Sequence, residues 1–309
     1  MSRYLSPLRY PGGKASIAPA LLEDVDAEVW FEPFSGGAGV GLRALFDGVV
    51  EELWLAESDP VVRGLWEWII DDAESLAEAV ERLRPDLDLF YRSRQIIAGG
   101  TAEVRDLVLA GLVVNRCSHS GIIAGNVGPI GGALQNGRYT VAARFDPDAL
   151  ARRIRLLAPL APRMRMVGDD GIEALESLAV TGADDDVVVF ADPPYLDVGD
   201  RLYRDRMGLA GHRRLATALS DLRCEWMLTV GDVDEVRDLY DFAEVGRVPV
   251  RYCGSSSRIA EELLIRPSLS AADRNHRTRR RHERNHLRHI SRRTGCRGSV
   301  DDPASADRR

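Results

Sequence analysis

Lysine is nearly absent from this chain. Of 41 basic residues among 309, one is lysine, Lys14, and the other 40 are arginine. Arginine is a broad planar fork, lysine a compact point charge on a thin stem. A composition that uses arginine wherever it serves marks Lys14 as a candidate for a position that accepts only an ammonium. Cysteine is scarce too. Cys117, Cys224, Cys253 and Cys296 are scattered without CxxC spacing, which argues against a disulfide framework and against a zinc site, so no metal is expected. No apolar run is long enough to span a bilayer, and residues 1–14 hold no apolar signal core. The expectation is a reduced, cytoplasmic protein without a membrane partner, nucleoid-associated if it binds DNA.

What charge there is sits unevenly. Residues 271–309 hold 12 Arg against 5 acidic residues, a net of +7, so a total of −7 leaves −14 on residues 1–270. The segment 269–309 has almost nothing apolar. It cannot bury enough surface to offset the entropy of ordering, and it reads as a disordered basic tail. An acidic body still permits DNA binding, because only the phosphate-facing groove must be basic.

Along the body, short apolar runs alternate with helical periodicity. Strands are expected at 28–34, 52–56, 164–167, 186–191, 225–230 and 261–265, with helices near 38–46, 61–70, 171–180, 208–222 and 233–241. Residues 71–160 read as mostly helical, interrupted by a Gly-rich stretch at 121–137. The alternation predicts an α/β fold with a mostly parallel sheet and helices on both faces.

Two strand ends carry chemistry. In open parallel sheets, ligands bind beyond the carboxyl ends of strands. Asp192-Pro193-Pro194-Tyr195 directly follows the run at 186–191. Two prolines remove two backbone donors and leave carbonyls that only accept. The Asp192 carboxylate and the Pro193 carbonyl suit the two N–H hydrogens of an aromatic amine, and would stabilise the charge that grows on its nitrogen during alkylation. Tyr195 is placed to stack on the base. A strand-ending turn with a buried tyrosine explains the tetrad equally well in isolation. The other end is the Gly-rich turn at 35–39, which lets a ligand approach the backbone and is not GxGxxG, so a dinucleotide is disfavoured. Asp59 ends the second strand, where an acid commonly holds ribose hydroxyls, and it can also cap the helix at Pro60.

In order, Leu8–Lys14, Glu32–Gly37, Ser58-Asp59 and the tetrad resemble the blocks of Dam-type DNA adenine-N6 methyltransferases, in their phage-associated branch. Weaker matches are 89–94 and 257–265. The resemblance implies a Rossmann-like S-adenosylmethionine-dependent fold, S-adenosylmethionine as cofactor, and double-stranded DNA as substrate, methylated at adenine N6 after base flipping. It implies cofactor contacts from Tyr10, Lys14, Glu32, Phe34, Gly36, Asp59 and Asp169, the last assigned to within one position of Asp170. Lys14 would pair with the methionine carboxylate. It divides the chain into a catalytic domain at 1–70 and 160–268, a target-recognition insert at 71–159, and the tail. In the insert, Arg92, Arg94, Asn115, Arg116, Asn126 and Arg138 are of the types that grip phosphates or read base edges. Whether a cognate restriction endonuclease accompanies the protein stays open. Two readings compete: a cytosine-N4 or other amino methyltransferase, and a catalytically inactive protein that binds cofactor or DNA. The Asp at the head of the tetrad favours adenine, and Lys14, Asp59 and the tetrad are all intact.

Overall fold

Strands that run through the middle of a parallel sheet are covered on both faces, so their sequences are apolar without interruption. Val29–Glu32 (β1) and Val187–Ala191 (β4) are of this kind, buried at every position. In a computed structural model that describes residues 5–10, 12–100, 102–182, 186–195, 207–253 and 257–268, these two strands lie side by side at the centre of a seven-stranded sheet. The other strands are Glu52–Ala56 (β2), Met164–Gly168 (β3), Glu225–Val230 (β5), Ala243–Cys253 (β6) and Ser257–Pro267 (β7). Their order is β3-β2-β1-β4-β5-β7-β6. The first five are parallel, and β7 and β6 close one side as an antiparallel hairpin.

Period-two alternation divides the core between the two faces. Trp30, Leu53, Leu55, Val188 and Phe190 face one side. There they meet Ala18–Leu22 (α1), Gly39–Phe46 (α2), Pro60–Glu81 (α3), Leu87–Gly99 (α4), Val104–Cys117 (α5) and Pro147–Arg155 (α6). Val29, Phe31, Val187, Val189 and Trp226 face the other side, against Gly171–Thr181 (α7), Leu209–Asp221 (α8) and Asp234–Arg237 (α9). The helices of 71–159 therefore share one apolar core with the sheet. Helix α3 breaks at Asp72, which has non-helical φ/ψ of −155° and 80°, close to the expected start of the insert.

Strand β6 was not among the expected elements. Its Gly246 and Pro249 dilute the strand signal. Proline removes a ladder donor and is tolerated because β6 is the edge strand. The expected helix at 233–241 shortens to α9 and a 3-10 turn. Residues 269–309, the expected basic tail, lie outside the described residues.

The sheet order reverses direction between β1 and β4. This switch point opens a crevice at the carboxyl ends of both strands, and the two chemistry-bearing turns start there.

Candidate active site

A cavity of about 770 Å³ sits at the switch point. Its wall is formed by the segment leading to Lys14, the turn at 32–40, Glu57–Asp59, Asp170–Ile172, Asp192 and Pro194.

The Gly-rich turn is held by carboxylates rather than by glycine alone. Glu32 ends β1 and is buried; its Oε1 accepts from Trp30 Nε1 (3.0 Å) and from the Gly41 amide (2.6 Å). Burial is the largest influence on it and pushes its pKa up to about 8, with the Asp192 charge adding to the rise. Glu57 accepts from Ser35 Oγ and from the amides of Gly36 (2.8 Å) and Asp59 (2.9 Å). Burial pushes Glu57 up to about 7 against the pull of these amides. Sequence reasoning passed over Glu57, although it directly precedes Ser58-Asp59. Gly36 has φ +42°, and a Cβ there would lie 2.7 Å from the Tyr10 ring, so Tyr10 closes directly over the turn.

Asp192 is the hub of a second network. Lys14 Nζ donates to both of its oxygens at 2.8 Å, to the Gly12 carbonyl at 2.7 Å, and lies 3.4 Å from Glu262. Thr229 Oγ1 donates to Asp192 Oδ1 at 2.8 Å. The Tyr195 hydroxyl lies 2.9 Å from Asp192 Oδ1 and 2.6 Å from Glu262. Lys14 and Glu262 are 3% and 2% exposed while Asp192 is 23% exposed; Lys14 and Asp192 both line the cavity, and Asp192 is the more open of the two. Among the described residues Oδ2 accepts only from Lys14. A carboxylate oxygen has two lone pairs, so Oδ2 keeps one for a ligand.

Several expectations change in this light. An ammonium has three donors, and those of Lys14 are committed to Gly12 and the Asp192–Glu262 pair. Its ammonium is held on the carboxylate of the tetrad, and it also lines the cavity. Tyr195 is buried and is not among the residues of the cavity wall, and its hydroxyl lies between Asp192 and Glu262. Pro194 lines the cavity and Pro193 does not. Asp169 is 74% exposed, pairs with Arg63 at 3.3 Å and is not in the wall. Asp170 is in the wall and caps α7 through Ile172 and Glu173. Tyr10, Phe34, Gly36 and Asp59 do line the cavity, and Asp59 also caps α3 through Val61 and Val62.

The expected DNA-facing residues divide in two. Asn115 is fully buried and bridges Arg9 N, Arg9 O and Gly121 O. Arg116 donates to the Pro7 carbonyl and its Nε is buried. Both brace the N-terminal segment, Asn115 from full burial and Arg116 from a half-buried position. Arg92, Asn126 and Arg138 are exposed, Arg138 over the Tyr139 ring. Arg94 is half-buried, bonded to the Gly125 carbonyl and lying over the Tyr91 ring.

This sheet order, with a cofactor-sized cavity at its switch point, defines the Rossmann-like fold of S-adenosylmethionine-dependent methyltransferases. A family model places the chemistry: residues 10–252 match the D12 class N6 adenine-specific DNA methyltransferases, and the chain belongs to that family. It is an enzyme that transfers the methyl of S-adenosylmethionine to adenine N6 in DNA. Among solved structures, the chain is similar to two of the rRNA methyltransferase aviRa from Streptomyces viridochromogenes. One has 11% identity and a TM-score of 0.38, the other 13% and 0.35, each covering 82% of this chain and 80% of that one. No curated protein matches. Among the described residues no helix is long and apolar enough to cross a membrane.

Proposed function

We propose that Asp192 is the group that accepts the adenine amine, and that the residues around it hold its carboxylate in place for methyl transfer. One observation carries this reading: Asp192 directly follows β4 at the cavity, with Lys14 and Thr229 donating to Oδ1 and an acceptor position left on Oδ2. The exocyclic nitrogen of adenine is a weak nucleophile because its lone pair is delocalised into the ring. An N–H donated to Oδ2 and another to the backbone carbonyls of the Pro193-Pro194 corner draw the nitrogen toward tetrahedral geometry. The same contacts stabilise the positive charge that develops on it. Lys14 and Thr229 keep the carboxylate oriented, and Glu262 holds Lys14 and Tyr195 behind it.

The cavity fits the cofactor, since its volume lies within the range of small-molecule sites, about 300–1,000 Å³. Tyr10, Phe34 and the backbone of 35–39 would hold the methionine part, Asp59 the ribose and the Asp170 turn the adenine. When bound, the cofactor supplies an electrophilic methyl on a sulfonium. Residues 71–159 act as the recognition insert, with Arg92, Arg94, Asn126 and Arg138 toward the DNA. A paired adenine cannot bring its amine to Asp192 from within the stack, so the base of duplex DNA flips into the cavity, at a cost of a few kcal/mol.

The test is Asp192→Ala on two duplexes, one with adenine at the target for turnover and one with 2-aminopurine there for base flipping. Turnover falls by roughly 10²–10³-fold or more, the range for loss of one transition-state contact, while calorimetric S-adenosylmethionine affinity stays within a few-fold. The 2-aminopurine fluorescence still rises on binding. Near-normal turnover of the variant removes Asp192 from the chemistry, and a quenched fluorophore in the cofactor-bound specific complex removes base flipping.

A further inference from the structure

Several arginines of the body sit on carboxylates. Arg155 bridges Glu74 and Glu81 at 2.7 and 2.5 Å, Arg214 meets Glu176 at 2.6 Å, and Arg165 meets Glu52 at 2.8 Å. Four arginines beside the cavity differ. Arg9 donates to the Ser118 carbonyl (3.4 Å), Arg144 to the His119 carbonyl (3.2 Å), Arg153 to the Ser6 carbonyl (3.1 Å), and Arg116 to that of Pro7. Among the described residues none of the four has a carboxylate partner.

Carbonyls orient a guanidinium but do not neutralise it. The four charges also act on one another. Burial and the charge of Arg144 lower the pKa of Arg9, and burial with the charges of Arg153 and Arg9 lowers Arg116 to about 10. A like-charged cluster without carboxylate partners is relieved by an anion. Each guanidinium has five N–H donors, and each side chain commits one of them to a carbonyl. Arg144 is exposed, and Arg9, Arg116 and Arg153 are half-buried. Arg9 and Arg153 also line the cavity that holds Asp192. Two members of the cluster thus belong to the wall of the cavity that a substrate base must reach.

We infer that Arg9, Arg144 and Arg153 form a phosphate clamp that grips the DNA backbone next to the target nucleotide, with Arg116 fixing the segment at 6–9 beneath it. Bidentate donors on rigid carbonyl tethers suit phosphate oxygens, and phosphate contacts set register without reading sequence. The inference rests on the reading of this protein as an enzyme of duplex DNA.

Counterion release makes the clamp measurable. Each phosphate contact contributes about 0.9 to the slope of log K against log salt on duplex DNA. The experiment is fluorescence anisotropy of a labelled duplex with the full chain at roughly 50–200 mM salt. The variants are Arg144→Gln, Arg153→Gln, their double, and Arg153→Lys. Arg82→Gln is the control, because Arg82 is 71% exposed at the C-cap of α3 and pairs with Glu78. Arg144→Gln and Arg153→Gln each flatten the slope by about 0.9, the double by about 1.8, and Arg153→Lys keeps it. Arg82→Gln leaves it unchanged. Thermal melting reports folding. If Arg153→Gln unfolds, Arg144→Gln and Arg153→Lys decide. Unchanged slopes in Arg144→Gln and in the double overturn the clamp. A wild-type chain whose duplex binding shows no salt dependence overturns the duplex reading itself, which is a separate result.

Discussion

Glu32→Gln separates the structural role of this carboxyl from any ionic one. The side chain is fully enclosed, and its Oε1 accepts from Trp30 and Gly41. Burial raises its pKa from 4.5 to about 8, so it folds neutral at pH 7. A group whose folded pKa is raised contributes stability that is fully present below its unfolded pKa. That stability is lost as pH climbs through the folded value. The window here runs from about 4.5 to about 8. Within it, each pH unit costs the wild type about 1.4 kcal/mol relative to a side chain that cannot ionise. Glutamine keeps the Oε1 acceptor and carries no titratable proton. The stability of Glu32→Gln minus that of wild type should therefore rise by about 4 kcal/mol, to order of magnitude, between roughly pH 5 and pH 8. Urea denaturation at three pH values across this window measures the difference directly. A difference that does not change with pH refutes the argument, since Glu32 would then ionise alike in folded and unfolded chains.

Three further outcomes follow from the geometry. Lys14→Arg should lower kcat more than S-adenosylmethionine affinity, because a planar fork cannot place donors on Gly12, Asp192 and Glu262 at once; steady-state kinetics beside calorimetry checks this, and an unchanged kcat refutes it. Tyr195→Phe should lower turnover although the ring is kept, since the hydroxyl links Asp192 to Glu262; single-turnover methylation with wild-type rate would return the role to the ring. Gly171→Ala should destabilise by at least 1–3 kcal/mol, about the cost of overpacking, because its Cβ would stand 1.9 Å from the Pro33 carbonyl oxygen; a thermal melt at the wild-type midpoint would show that the β1 turn can retreat.

Local sequence determined the parts whose signals are local. Strands buried on both faces read as unbroken apolar runs, so β1, β2, β4 and β5 were legible to within a residue or two. The Gly-rich turn, the Asp59 cap and the tetrad follow from chemistry at neighbouring positions. The solitary lysine pointed to a position that requires a point charge. Its partners were decided by the tertiary structure, since Asp192 lies 178 positions away and no periodicity reports a contact between a loop and a distant strand end. For the same reason Glu262 and Thr229, each one residue of an ordinary strand, emerge as site residues only when β7 and β5 come up beside β4. Asn115 and Arg116 have the composition of DNA readers, but the packing of α5 under the N-terminal segment turns them inward onto carbonyls and amides. Arg9, Arg144 and Arg153 come from three separate segments, and folding alone brings their like charges together beside the cavity.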